Sequence, residues 1–98
     1  MLYLLRYEMA PGASRDKLVE LFPAHRAAWR KYRHDGTLVA IGPMEDPAEG
    51  ALGVFTTRGA AEEFAHEDPF VMEGVVGTWR ILPWREALGI LPVDGPDD

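Results

Sequence analysis

Thr37-Leu38-Val39-Ala40-Ile41-Gly42-Pro43 and Ala51-Leu52-Gly53-Val54-Phe55-Thr56 lie in the middle of the chain, separated by an acidic loop from Glu45 to Gly50. Each is a short apolar run bounded by turn residues, and each reads as a strand, the first closed by Gly42-Pro43. Helical patterns flank this pair. On the N-terminal side Ser14 offers an N-cap with Asp16 in the first turn, and Leu18, Leu21, Phe22, Ala28, Trp29 and Tyr32 follow at spacings of three and four. Pro23 interrupts that run and should kink the helix or begin a second segment. His34-Asp35-Gly36 is a stop, with a glycine suited to the left-handed C′ position. On the C-terminal side Arg58 to Glu67 reads as a second helix with Ala60, Ala61, Phe64 and Ala65 on its inner face. Asp68-Pro69 breaks it, because the residue before proline is pushed out of the helical region. Phe70 to Val75 adds one more turn. Residues 2–8, dense in Leu and Tyr, read as a buried first strand, and Val76 to Trp84 as the fourth.

The order is therefore strand, helix, strand, strand, helix, strand. It predicts an α+β domain of the ferredoxin-like βαββαβ type, a four-stranded antiparallel sheet with both helices on one face. The strands are apolar at consecutive positions, so the uncovered face also calls for burial. A second copy packed sheet to sheet would supply it, giving a homodimer with the architecture of a dimeric α+β barrel. Residues 1–86 make the domain, and 87–98, rich in Pro, Gly and Asp, form a tail expected to be loose or packed on the partner subunit.

With 98 residues the chain is one domain of modest core. Hydrophobic residues at 47% and charged residues at 27% are those of an ordinary globular protein, and the net charge of −6 opposes binding to nucleic acid or to anionic membranes. The absence of Cys removes disulfides, thiolate nucleophiles and Cys-ligated zinc. The apolar start, Met1-Leu2-Tyr3-Leu4-Leu5, is too short for a signal segment, and no run has the length of a membrane span. The expected location is cytoplasmic.

His25 and Asp68 are the residues in which chemistry is legible. His25 falls three residues after Phe22 and four before Trp29, on the apolar face of the first helix. Asp68 ends the second. In the predicted fold the two helices lie side by side, so an Asp at the end of one can reach a His on the other. A carboxylate that orients an imidazole is a minimal kit for proton transfer. His34 and His66 read as surface residues, and three histidines without a two-His motif at ligand spacing predict no metal. The chain has no phosphate-binding glycine motif and no nucleophile elbow around Ser14. Strand aromatics invite an RNA-binding reading, but no basic-aromatic segment accompanies them.

These residues carry a resemblance. A short hydrophobic first strand, a His followed four residues later by an aromatic (His25, Trp29), Gly36, a strand ending in Gly42-Pro43, and Asp68-Pro69-Phe70 followed by Gly74 occur in this order over most of the chain. The pattern resembles the YCII-related (YciI-like) domain family of the dimeric α+β barrel superfamily. Arg26, where members commonly carry Leu, and Pro23 depart from it. The resemblance implies a His-Asp active site at His25 and Asp68, and elimination or dehydrochlorination of small cyclic or aromatic compounds without a cofactor. In that reading His25 is the general acid or base, and Tyr7, Trp29, Gly42, Pro43 and Phe70 form the substrate pocket. The alternative is a non-catalytic small-molecule-binding or assembly module in which His25 and Asp68 make a structural hydrogen bond. An open, concave pocket touching His25 favours the first and a sealed pair the second.

Overall fold

The computed structural model describes residues 1–87. Strand β1 (Leu2–Met9) leads into helix α1 (Arg15–His34), and β2 (Leu38–Pro43) is joined through a short 3₁₀ turn (Pro47–Glu49) to β3 (Ala51–Phe55). Helices α2 (Arg58–Glu67) and α3 (Pro69–Met72) precede β4 (Val76–Trp84). The strands form one antiparallel sheet in the order β2-β3-β1-β4. This is the ferredoxin-like α+β arrangement that the element order predicts. Residues 88–98, most of the expected tail, lie outside the described residues.

Register decides which side chains meet the helices. In β1, Tyr3, Leu5 and Tyr7 stand opposite Phe55, Gly53 and Ala51 of β3 and Pro83, Ile81 and Trp79 of β4. Directly opposed residues share a face. Leu5, Tyr7 and Phe55 are buried, whereas Arg6 and Glu8, which follow Leu5 and Tyr7 in the strand, are exposed. Helix α2 presents Ala60, Ala61 and Ala65 to the sheet beside Phe64. Small residues let the helix backbone approach closely, and Phe64 fills the space with ring contacts to Tyr32 (5.7 Å) and Phe55 (5.8 Å). Burial of a side chain of that size is worth roughly 1.5–3 kcal/mol.

Helix α1 runs through Pro23 without division into two segments. Proline removes one helical hydrogen bond, to the carbonyl of Val19, and its ring crowds that turn. Pro23 and Val19 are both exposed, so water can take the freed carbonyl. Packing on both sides of the defect, by Leu18 and Leu21 before it and Ala28, Trp29 and Tyr32 after it, holds the helix in one piece. The N-cap is Ser14, whose hydroxyl accepts the Lys17 N–H at 3.0 Å. Phe22 departs from the periodic pattern: it is 45% exposed rather than part of the core.

Gly50 opens β3 at φ +116°, a conformation that L side chains rarely adopt. A Cβ there would overlap the carbonyl oxygen of Tyr7. Glycine at this position lets the β2–β3 connection close against β1, next to the site described below.

Candidate functional site

The local rules that break the second helical run also fix a carboxylate. Asp68 precedes Pro69, so its backbone is extended (φ −66°, ψ 122°) and it terminates α2. The same residue is the N-cap of α3, with Pro69 at the first helical position, and its Oδ1 accepts the Phe70 N–H at 3.1 Å. A side chain doing this work cannot swing away. The cap points the carboxylate inward, where none of it is exposed.

A buried carboxylate needs donors, and Asp68 has three. Besides Phe70 N–H, Oδ1 faces Nδ1 of His25 at 2.8 Å, and Oδ2 accepts the Tyr7 hydroxyl at 2.6 Å. A carboxylate can only accept, so opposite one, Nδ1 is the donor of this contact, and an imidazole with its single proton there has its lone pair on Nε2. The ring is clamped as well: it stacks on Phe70 with centroids 4.1 Å apart and planes 10° from parallel, and lies 5.9 Å from Phe64. His25 is 8% exposed. Among the described residues the only fully buried side-chain polar atom without a partner is the Tyr32 hydroxyl oxygen. Nε2 has no protein partner there and is therefore not sealed.

The opening beside His25 is a cavity of about 540 Å³ between α1 and the helix-facing side of the sheet. That volume suits a small organic molecule. Tyr7, Trp29, Gly42, Pro43 and Phe70 all line it together with His25, while Asp68 stands behind the imidazole. Leu5, Ile41 and Phe64 add apolar wall, and Arg15, Val19 and Phe22 also border the space. Sequence reasoning missed these last three. Phe22 reads as core by spacing, and nothing in an isolated sequence says that α1 stands far enough off the sheet at this end to leave a cavity. The three histidines are not brought together: His34 is exposed, and His66 is exposed with its ring against Trp79. Among the described residues no three His, Asp or Glu side chains are grouped to hold a metal ion, and no helix is long and apolar enough to cross a membrane.

Tyr7 reads from sequence as a pocket wall, and the structure adds a second task. Burial, the negative charge of Asp68 and the hydrogen bond to it together push the Tyr7 phenol far above its ordinary value. It therefore remains a donor throughout the physiological range. The alternation of β1 was the available signal, since Leu5 and Tyr7 share the helix-facing side. Tyr7→Phe should lower stability by about 1–3 kcal/mol, because Oδ2 of a sealed carboxylate then has no partner. The pH dependence has a definite sign. In the unfolded chain Tyr7 titrates at about pH 10, whereas in the folded chain it holds its proton to higher pH. Its contribution is complete below about pH 10 and is lost as the pH rises further. Denaturant melts at pH 8 and pH 11 should show a smaller alkaline loss in Tyr7→Phe than in the wild type. An equal loss would mean that Tyr7 is not the group responsible.

The model of the YCII-related domain family matches residues 1–85. The protein YciI of Escherichia coli and that of Shigella flexneri are each 31% identical to this chain over 97 residues, covering 88% of this chain and 98% of theirs. Among solved structures, the 5-chloro-2-hydroxyhydroquinone dehydrochlorinase of Burkholderia phenoliruptrix, in complex with 2,5-dihydroxybenzoquinone, superposes with a TM-score of 0.70. It is 19% identical, and the alignment covers 87% of this chain and 94% of that one. At that identity the likeness establishes the fold.

Proposed function

The chain belongs to the YCII-related domain family, and from that premise we propose that it is a cofactor-independent lyase or isomerase of small cyclic or aromatic compounds. His25 is the proton-transfer group and Asp68 its orienting carboxylate. The observation that carries this reading is the position of the imidazole. Nδ1 is held by a buried carboxylate at 2.8 Å, while the ring borders an apolar cavity. This arrangement supports a base whose second ring nitrogen serves a bound ligand. In an elimination, Nε2 takes a proton from a carbon of the bound molecule, the C–H electrons form a double bond, and a leaving group such as chloride departs from the neighbouring carbon. The imidazolium is stabilised by Asp68 until solvent removes the proton. The structural neighbour is a dehydrochlorinase, which supports this reaction class by analogy of fold.

The reaction class can be tested before the substrate is identified. A panel of chlorinated and hydroxylated cyclic compounds is assayed for chloride release and, by NMR, for exchange of C–H against solvent deuterium. Activity that disappears in His25→Ala is the expected result. Turnover that survives the substitution would place the chemistry elsewhere. A second reading, a non-catalytic binding or assembly module, has one observation in its favour. Asp68 also caps α3 and binds Tyr7, so its contact with His25 could serve stability alone. A soaked small-molecule library from which nothing orders in the cavity would favour assembly.

The protein is also proposed to be a homodimer. On the sheet face turned away from the helices, Leu4 stands opposite Val54 and Leu82, and Leu2 opposite Trp84, which is 40% exposed. Arg6 and Arg80 are directly opposed on this face, a like-charge pair that costs stability where it stands exposed. A second copy would bury the apolar part. Light scattering at micromolar concentration should give twice the chain mass, and a monomer would remove the barrel arrangement.

A further inference from the structure

The cavity wall carries a second polar function besides His25. Of the lining residues, only Tyr7, Arg15 and His25 have polar side chains apart from the indole of Trp29, and the Tyr7 hydroxyl is engaged by Asp68. Arg15 is the first residue of α1, is exposed, and borders both the cavity and the adjoining groove. It sits at the end of a helix dipole that disfavours cations. Arg15 is the one Lys or Arg that lines the cavity, and five of the other cations have partners elsewhere. Lys17 and Lys31 pair with glutamates, Arg33 donates to the carbonyls of Leu38 and Val39, and Arg26 and Arg58 lie over the rings of Phe22 and Tyr3. Arg15 has no carboxylate at ion-pair distance among the described residues. Asp46, which borders the adjoining groove, accepts from the N–H of Ala48 instead.

We propose that Arg15 is a specificity-determining residue that selects organic anions: the ligand of this cavity is a flat apolar ring carrying an ionised oxygen group, a carboxylate or an acidic enol. The inference rests on the reading of the cavity as a ligand site and adds the substrate class. An apolar ring satisfies the walls, the guanidinium meets the ionised oxygens with paired donors, and the ligand is thereby oriented with a ring carbon toward Nε2 of His25. The charge on the ligand also accounts for a cation at the rim of an otherwise apolar cavity in a chain whose net charge is −6.

The test uses two probes with the same ring, 2,5-dihydroxybenzoquinone, which is ionised at neutral pH, and neutral 2,5-dimethoxybenzoquinone. Titration calorimetry on the full chain compares wild type, Arg15→Gln, Arg15→Lys and His25→Ala. The wild type should prefer the anion by roughly 10-fold, the lower end expected for a charge-assisted contact at a partly exposed site. Arg15→Gln should abolish the preference, weakening the anion far more than the neutral probe. Arg15→Lys should restore part of it, and His25→Ala should retain it. Added salt should weaken the anion and not its neutral analogue. A preference that survives Arg15→Gln, or that is lost only in His25→Ala, overturns the assignment to Arg15. Equal binding of both probes by the wild type overturns anion selection but leaves the ligand cavity standing. Binding of neither overturns the cavity reading itself and this proposal with it.

Discussion

His25→Ala is expected to leave a folded protein and to lower the rate on a true substrate by on the order of 10²–10⁴-fold, the range for loss of a positioned acid–base group. The fold should survive because Asp68 keeps two of its three donors, the Tyr7 hydroxyl and the Phe70 N–H. Stability should still fall by about 1–3 kcal/mol, since one carboxylate contact and the stack on Phe70 are gone. For a domain of this size that is a drop of roughly 4–24 °C in melting temperature. Rates must therefore be compared at a temperature where circular dichroism shows both proteins folded. A rate within a few-fold of wild type would end the catalytic reading, whatever the melts show. A rate loss with a near-normal melt would separate function from structure, because polar groups at an active site need not contribute to stability.

Much of this arrangement was readable from the chain because the relevant rules are local. Asp68-Pro69 forbids helical continuation at Asp68, and Ser14, Gly36 and the Gly42-Pro43 strand end each act within a few residues. The order of elements follows from them, and the order gives the sheet. The proximity of His25 and Asp68 needed one further step, the side-by-side packing of the two helices. What stayed hidden depends on how elements stand off one another. Phe22 has the spacing of a core residue, but at the cavity end of α1 there is no opposing surface for it to bury against. Pro23 carries a strong local instruction to break the helix, and tertiary contacts on both sides outweigh it. Tyr7 shows its inward direction in the pattern. Its reach to Asp68, across 61 positions of sequence, depends on the closeness of β1 to the α2–α3 junction. Arg15 would be taken from sequence for an ordinary surface charge, and only the cavity beside it gives it a role.

Asp68 should prove the most sensitive position for folding. Asp68→Ala removes the cap of α3 and leaves the Tyr7 hydroxyl, the His25 Nδ1–H and the Phe70 N–H facing an apolar void. A loss of about 3–5 kcal/mol is expected, as when one partner of a buried charged pair is deleted, enough to threaten a marginally stable domain. Asp68→Asn separates geometry from charge. The Phe70 N–H is fixed by the backbone and can only donate, so the amide oxygen should take the place of Oδ1. It would then accept from both Phe70 and His25, and the amide nitrogen would face the Tyr7 oxygen, which can accept. The imidazole thus keeps the same tautomer and orientation, while the negative charge that stabilises imidazolium is lost. The variant should melt well above Asp68→Ala, and its rate should fall by less than that of His25→Ala. A double-mutant cycle with Tyr7→Phe makes the argument quantitative. If Tyr7 acts through the carboxylate, the two substitutions should be strongly non-additive in stability, with a coupling of roughly 0.5–3 kcal/mol. Additive losses would mean that the 2.6 Å contact carries little energy and that Tyr7 contributes only as part of the cavity wall.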